Sequence, residues 1–219
     1  MDTDAALPAH RDTLFQQPSN FTQKEYAMSE TSQPVQPLIA YIVNAGWYFQ
    51  LHWLDRILEV KKKGFRIAVI TNWDDKPFMK SVQEQGIDCI HVPFTRRGMG
   101  LLQEATSFRS LYNTIESLKP DLIHNVTVKP NLYGGVVSKR LGIPAVASIT
   151  GLGIVFSSDR WLYRFMRRLI MAAYRWIYRS SACKVIFENH TDRALFVNKK
   201  VVPSDKTIKI PGAGVNIAL

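Results

Sequence analysis

Hydrophobic and polar positions along this chain follow two alternating patterns. Short uncharged runs of β-branched and aromatic residues recur between longer stretches whose apolar residues return every three or four positions. Residues 37–44 (PLIAYIVN) are the first run, the pattern of a strand buried on both faces. Ala45-Gly46 turns the chain, and 47–63 reads as a helix, with Leu51, Leu54, Ile57 and Leu58 at helical spacing and lysines at its end before Gly64. The same patterns predict strands over 65–72, 87–94, 121–127, 145–150, 184–188 and 207–210. Helices are predicted over 78–85, 101–118, 130–141, 160–182 and 191–199. Repeated strand–helix alternation predicts an α/β fold: a doubly wound, mainly parallel sheet with helices on both faces. Residues 1–36 show no period and end in a Pro- and Gln-rich stretch, so a disordered leader is expected ahead of one domain over 37–219.

Composition narrows the class. A chain of 219 residues with 46% hydrophobic side chains can bury a full core. Cys89 lies in a predicted strand and Cys183 directly before one, with no CxxC or His-rich spacing, so neither a disulfide framework nor a zinc site is expected, and a reducing cytoplasm fits. No uninterrupted apolar stretch approaches the ~20 residues of a membrane span. The net charge of +10 points to a polyanionic partner: nucleic acid, an anionic membrane face or a phosphate-bearing substrate. The first strand is followed by NAGWYF rather than GxGxxG, and GxxxxGK[ST] is absent, which argues against nicotinamide enzymes and P-loop NTPases. Metal-ligand clusters and a catalytic triad are likewise not discernible, and no cofactor is expected.

Candidate chemistry gathers where strands end. Asn44, Gly46 and Trp47 join the first strand to its helix, either as an anion-binding edge or as a plain turn. Lys129, Asn131 and Tyr133 follow the fourth strand, where Lys129 either meets a phosphate or sugar hydroxyl or caps a loop in solvent. His124, inside that strand, is a core or rim histidine, with a polar cleft role as the sharper option. Thr150, Gly151 and Gly153 follow the fifth strand; two closely spaced glycines free backbone N–H groups to line a pocket, or form a hinge. Glu188, Asn189 and His190 follow the sixth, with Asn189 placed to cap the next helix.

The charge is concentrated in 160–182. Arg160, Arg164, Arg167, Arg168, Arg175 and Arg179 fall within roughly 120° of a helical wheel, and the segment has no acid. Leu162, Phe165, Met166, Leu169, Ala173 and Ile177 lie opposite, with tryptophans and tyrosines between. This is the pattern of a membrane-surface helix meeting anionic lipid. The apolar side could equally pack on the sheet and leave a solvated arginine face; the two readings are compatible. Nucleic acid is not expected, since no helix-turn-helix, RNA-binding strand signature or zinc finger accompanies the charge.

Read in order, NAGWYFQLHWL, HNVTVKPNLYGG, ASITGLGIVF, VIFENHTDRALFV and IPGAGVN resemble the N-terminal half of family 4 retaining glycosyltransferases. The likeness is strongest to bacterial enzymes that act on polyprenyl-diphosphate-linked glycans, and it spans about 38–216. It implies a Rossmann-like half of a GT-B fold that holds a lipid-linked glycan acceptor at the inner face of the cytoplasmic membrane. A second half would bind the nucleotide-sugar donor. Substrate contacts are thereby implied for Asn44, Gly46, Trp47, Lys129, Asn131, Thr150, Gly151 and Gly153. Membrane contacts are implied for Arg164, Arg167, Arg168, Arg175 and Arg179. The chain stops at Leu219, shortly after the PGAGVN that leads into the family's donor domain. The expectation is therefore a domain inactive without a separate donor-domain chain, or a truncated product; the alternative is a non-catalytic glycan- or partner-binding module.

Overall fold

The computed structural model describes residues 36–94, 100–180 and 182–212, and the expected leader lies outside them. Seven parallel strands, β1 (Leu38–Val43), β2 (Arg66–Thr71), β3 (Asp88–His91), β4 (Leu122–Val126), β5 (Ala145–Ile149), β6 (Cys183–Phe187) and β7 (Thr207–Lys209), form one sheet in the order β3-β2-β1-β4-β5-β6-β7. The chain winds outward from β1 to β3, crosses back, and winds the other way from β4 to β7, so the direction reverses between β1 and β4. There Val43 pairs with Val126. All six residues of β1 are buried, as a strand covered on both faces requires.

Helices α1 (Gly46–His52), α2 (Leu54–Lys62) and α3 (Lys76–Glu84) cover one face, where Phe49, Trp53, Ile57 and Val82 pack on Tyr41, Val43 and Val69. Helices α4 (Leu101–Leu118), α5 (Val128–Leu141), α7 (Trp161–Ser180) and α8 (His190–Asn198) cover the other, with the four-residue α6 (Ile154–Ser157) leading into α7. The doubly wound sheet expected from the alternation is the one found.

Two local expectations are corrected. The first helix is broken at Trp53, whose backbone leaves the helical region (φ −125°) as its ring packs against Tyr41 and His124. Leu51, expected on the apolar side, is consequently exposed. The second correction concerns α7. Its buried side is Met171, Tyr174, Ile177 and Tyr178, whereas Leu162, Phe165 and Leu169 are about half exposed. Side-chain volume decides this: the two tyrosines stack at 5.4 Å and fill the space beside Phe196 and Phe187.

Helix α5 lies unusually near the sheet and α7. A Cβ on Gly134 would stand 1.8 Å from Asn125 Oδ1 and 2.9 Å from Ile42 Cδ1, and one on Gly135 would stand 2.8 Å from Ile177 Cγ2. The consecutive glycines are thus a packing requirement. Gly134→Ala is expected to lower stability by about 3 kcal/mol, at the upper end of overpacking costs. Gly135→Ala should cost less, because the Ile177 side chain can yield. Urea-unfolding midpoints of the two variants check both the sign and the order.

Candidate functional site

The carboxyl ends of β1, β4 and β5 are neighbours, and the reversal of strand order between β1 and β4 opens a crevice outside them. Lys129 and Gly151, which follow β4 and β5, therefore stand on one rim. Gly151 (φ 125°) and Gly153 (φ 64°) both adopt backbone that L side chains rarely reach, and a Cβ on either would meet nothing within 4 Å. Conformation, not crowding, demands glycine there.

Just after β4 sits a further residue that sequence patterns did not single out. Thr127 ends β4 at φ 75° and ψ 171°, a region almost reserved for glycine. Its N–H donates to the Ser148 carbonyl at 3.2 Å, while its buried hydroxyl has no partner among the described residues. A β-branched residue held so, at about 1–3 kcal/mol of strain, marks a place where the surrounding fold dictates the backbone. Nothing in the sequence could report this, because threonine is an ordinary strand residue.

The remaining candidates divide. Lys129 Nζ lies 2.7 Å from Glu104 Oε1 of α4, and Tyr133 donates its hydroxyl to the same carboxylate. Burial, then this bond, pushes the Tyr133 pKa up. Lys129 is thus not a solvated lysine, and its charge is shared with Glu104. Asn131 is turned inward: it is 1% exposed and donates from Nδ2 to the Ser148 carbonyl at 3.0 Å, bracing α5 on β5. A side chain so covered does not reach the crevice, so the expected substrate contact is corrected for Asn131. Gly46 is corrected likewise. Its N–H donates to Asn72 O at 3.2 Å and a Cβ would meet that same oxygen, so its close approach is to the loop after β2 rather than to an anion. Trp47 stands half exposed and Asn44 partly exposed at the end of β1, and Thr150 is partly exposed at the end of β5.

The α1–α2 face of the sheet carries polar groups beneath these helices. His124 Nε2 lies 2.8 Å from Ser148 Oγ, its ring stacked on Tyr41 at 4.9 Å and edge-on to Trp53 at 5.1 Å. Burial, reinforced by the nearby Arg56 charge, brings its pKa down to about 3. Glu188, past the end of β6, has its pKa raised by burial, with Arg56 and His52 pulling the other way. This face therefore holds a neutral imidazole and a carboxylate, both near the Arg56 charge of α2; Arg56 itself is not a residue the sequence patterns point to. Asn189 caps α8, its Oδ1 accepting from Asp192 N at 2.7 Å. Among the described residues no group of three or more His, Cys, Asp or Glu could hold a metal ion.

A doubly wound parallel sheet with its crevice at the β1/β4 reversal is the architecture of the Rossmann-like halves of GT-B enzymes. Within that class the chain belongs to the glycosyl transferase 4-like family, whose model matches residues 38–189. The match includes all three rim loops. A curated relative from Escherichia coli, UDP-Gal:alpha-D-GlcNAc-diphosphoundecaprenol alpha-1,3-galactosyltransferase, is 23% identical over 137 residues, 61% of this chain and 33% of the relative. Among solved structures, UDP-N-acetylglucosamine 2-epimerase from Rickettsia bellii superposes with a TM-score of 0.57 at 15% identity, over 81% of this chain and 45% of the other. MurG from Acinetobacter baumannii gives 0.51 at 12% identity, over 83% and 47%. A sucrose-phosphate synthase fragment from Thermosynechococcus elongatus gives 0.53 at 15%, over 82% and 90%. The chain thus spans a third of the curated relative and just under half of the two longer structures. The expected N-terminal domain of a GT-B glycosyltransferase is what these likenesses show.

Two outcomes test the geometry. Because His124 stays neutral in the folded state while the unfolded histidine takes up a proton near pH 6.5, stability contributed by this group is present above pH 6.5 and falls as pH drops toward about 3. Its ring resonances should accordingly not titrate between pH 7.5 and 5 by NMR, and a midpoint inside that range contradicts the burial. Separately, Thr127→Gly should raise the unfolding free energy by relieving strain, by up to about 1 kcal/mol after the entropy glycine adds to the unfolded chain. Chemical denaturation reads this directly.

Proposed function

We propose that this domain is the acceptor side of a sugar transferase acting on a lipid-linked, diphosphate-bearing glycan at the inner face of the cytoplasmic membrane. The observation that carries the reading is the rim itself: strained Thr127 follows β4 and positive-φ Gly151 and Gly153 follow β5, on neighbouring strands beside the strand-order reversal. The activity of the Escherichia coli relative, transfer to a GlcNAc-diphosphoundecaprenol, supports the substrate class. In this reading the backbone around Gly151 and Gly153 offers N–H groups to acceptor phosphate or hydroxyl oxygens, and Lys129 contributes positive charge tempered by Glu104. Trp47 supplies an aromatic surface of the kind sugar rings lie against. A second Rossmann-like half would bring the nucleotide sugar, whether further along a longer chain or as a separate one.

The membrane part of the reading is supported by α7, four of whose arginines (Arg164, Arg168, Arg175 and Arg179) are exposed. Arg167 is turned toward the body of the domain. Its guanidinium donates to the Val155 and Ser158 carbonyls at 3.2 and 2.9 Å, so it braces the segment before α7. No helix among the described residues is long and apolar enough to cross a membrane.

Titration calorimetry with a short-chain polyprenyl-diphosphate GlcNAc tests the rim. The chain should bind it, and Gly151→Ala, whose methyl meets open space, should weaken binding about tenfold by shifting the loop backbone, equivalent to about 1.4 kcal/mol. Equal affinity of the variant, or no binding by the unaltered chain, overturns the assignment.

A further inference from the structure

Helix α7 carries more cationic charge than its neighbours neutralise. Arg175 is anchored over the end of α8, donating from Nε to Lys200 O at 3.1 Å and from Nη2 to Lys199 O at 3.0 Å. In contrast, the side chains of Arg164, Arg168, Arg179 and Lys199 have no hydrogen bond or ion pair among the described residues. They surround two adjoining grooves between α7 and the α8 end, of about 470 and 500 Å³, both bordered by Arg175. Among the described residues no carboxylate lines either groove. Guanidinium groups gathered this closely repel one another, and an anion seated among them removes that repulsion while accepting their forked N–H groups.

The adjacent surface identifies the anion's carrier. On the helical wheel Arg164, Arg168, Arg175 and Arg179 occupy about 60°, and Phe165, Leu169, Ala172 and Trp176 occupy about the next 60°. All four of the latter are exposed, as are Trp161 and Leu162 near the helix start. Lys139 of α5 borders the far edge of this stripe, its ammonium 4.0 Å from the Trp176 ring centroid. An apolar strip with cations on both sides matches the interface of an anionic bilayer, where acyl chains lie beneath a layer of phosphates. A soluble polyanion would satisfy the arginines and leave the strip in water.

We propose that the paired grooves between α7 and α8 seat phosphate headgroups of anionic phospholipid, while the exposed stripe of α7 lies among the acyl chains. This deepens the membrane reading above, replacing a diffuse attraction by a defined headgroup site.

Co-sedimentation of the full chain with phosphatidylglycerol/phosphatidylcholine vesicles, and with phosphatidylcholine alone, tests it. Binding to the mixed vesicles only is expected. The Arg164→Gln/Arg168→Gln pair should weaken it about 25-fold, roughly fivefold per charge, with an unchanged melting temperature. Arg66→Gln, at the opposite side of the sheet and paired with Asp88, should leave it unaltered. Leu169→Asp should abolish the binding that survives at 0.5 M salt. If Arg66→Gln costs as much per charge as the groove pair, the groove site falls and the membrane reading stands. If the unaltered chain binds neither vesicle, both fall, while acceptor binding at the rim is judged separately by calorimetry. Glycerol phosphate binding in solution as tightly as vesicles also overturns the proposal.

Discussion

How closely α5 can lie on the sheet governs most of what surrounds it. Gly134 and Gly135 remove the side chains that would hold it off Asn125, Ile42 and Ile177. Once seated, α5 is bound on every side. Asn131 reaches the Ser148 carbonyl, Tyr174 donates to Val128 O at 3.2 Å, and Lys139 reaches the Trp176 carbonyl. The turn that feeds this helix has little freedom left, and Thr127 is held in a conformation it would not choose. The strained rim and the placement of α7 thus both descend from one short approach between backbone and sheet.

Charge is distributed in keeping with that geometry. The crevice is close to balanced: Lys129 answers Glu104, and Glu188 faces Arg56 and His52. Such a site selects partners by shape and hydrogen bonding, with electrostatics adjusting orientation. The grooves between α7 and α8 are unbalanced: among the described residues that line them, several are cationic and none is a carboxylate. The two surfaces are suited to different tasks, recognition at the rim and anchorage along the helix.

The architecture was legible because it is written in repeats. Uncharged β-branched runs separated by helical periods leave few topologies for a right-handed parallel sheet. Glycines at 151 and 153 could also be flagged, since spacing and residue type alone suggest exposed backbone. What could not be read was direction. The wheel of α7 correctly gathered the arginines, yet it gave no means of knowing that Tyr174 and Tyr178 would take the interior and turn Phe165 and Leu169 outward. Asn131 and Gly46 suggested ligand contacts because polar and small residues at strand ends often make them. In the fold the Asn131 Nδ2 is engaged by the Ser148 carbonyl and the Gly46 N–H by the Asn72 carbonyl. Glu104 and Arg56, the charged groups beside Lys129 and Glu188, come from helices distant in sequence, and only the folded chain brings them near.

The positive φ of Gly151 and Gly153 has a consequence for chemical synthesis. Both positions hold backbone that mirror-image amino acids prefer at rest. A D-alanine ligated into either would hold the loop in its present shape, and its methyl, built on the opposite hand, would narrow the range of shapes open to the unbound loop. Such a semisynthetic domain would separate how far that loop's readiness depends on freedom from how far it depends on form.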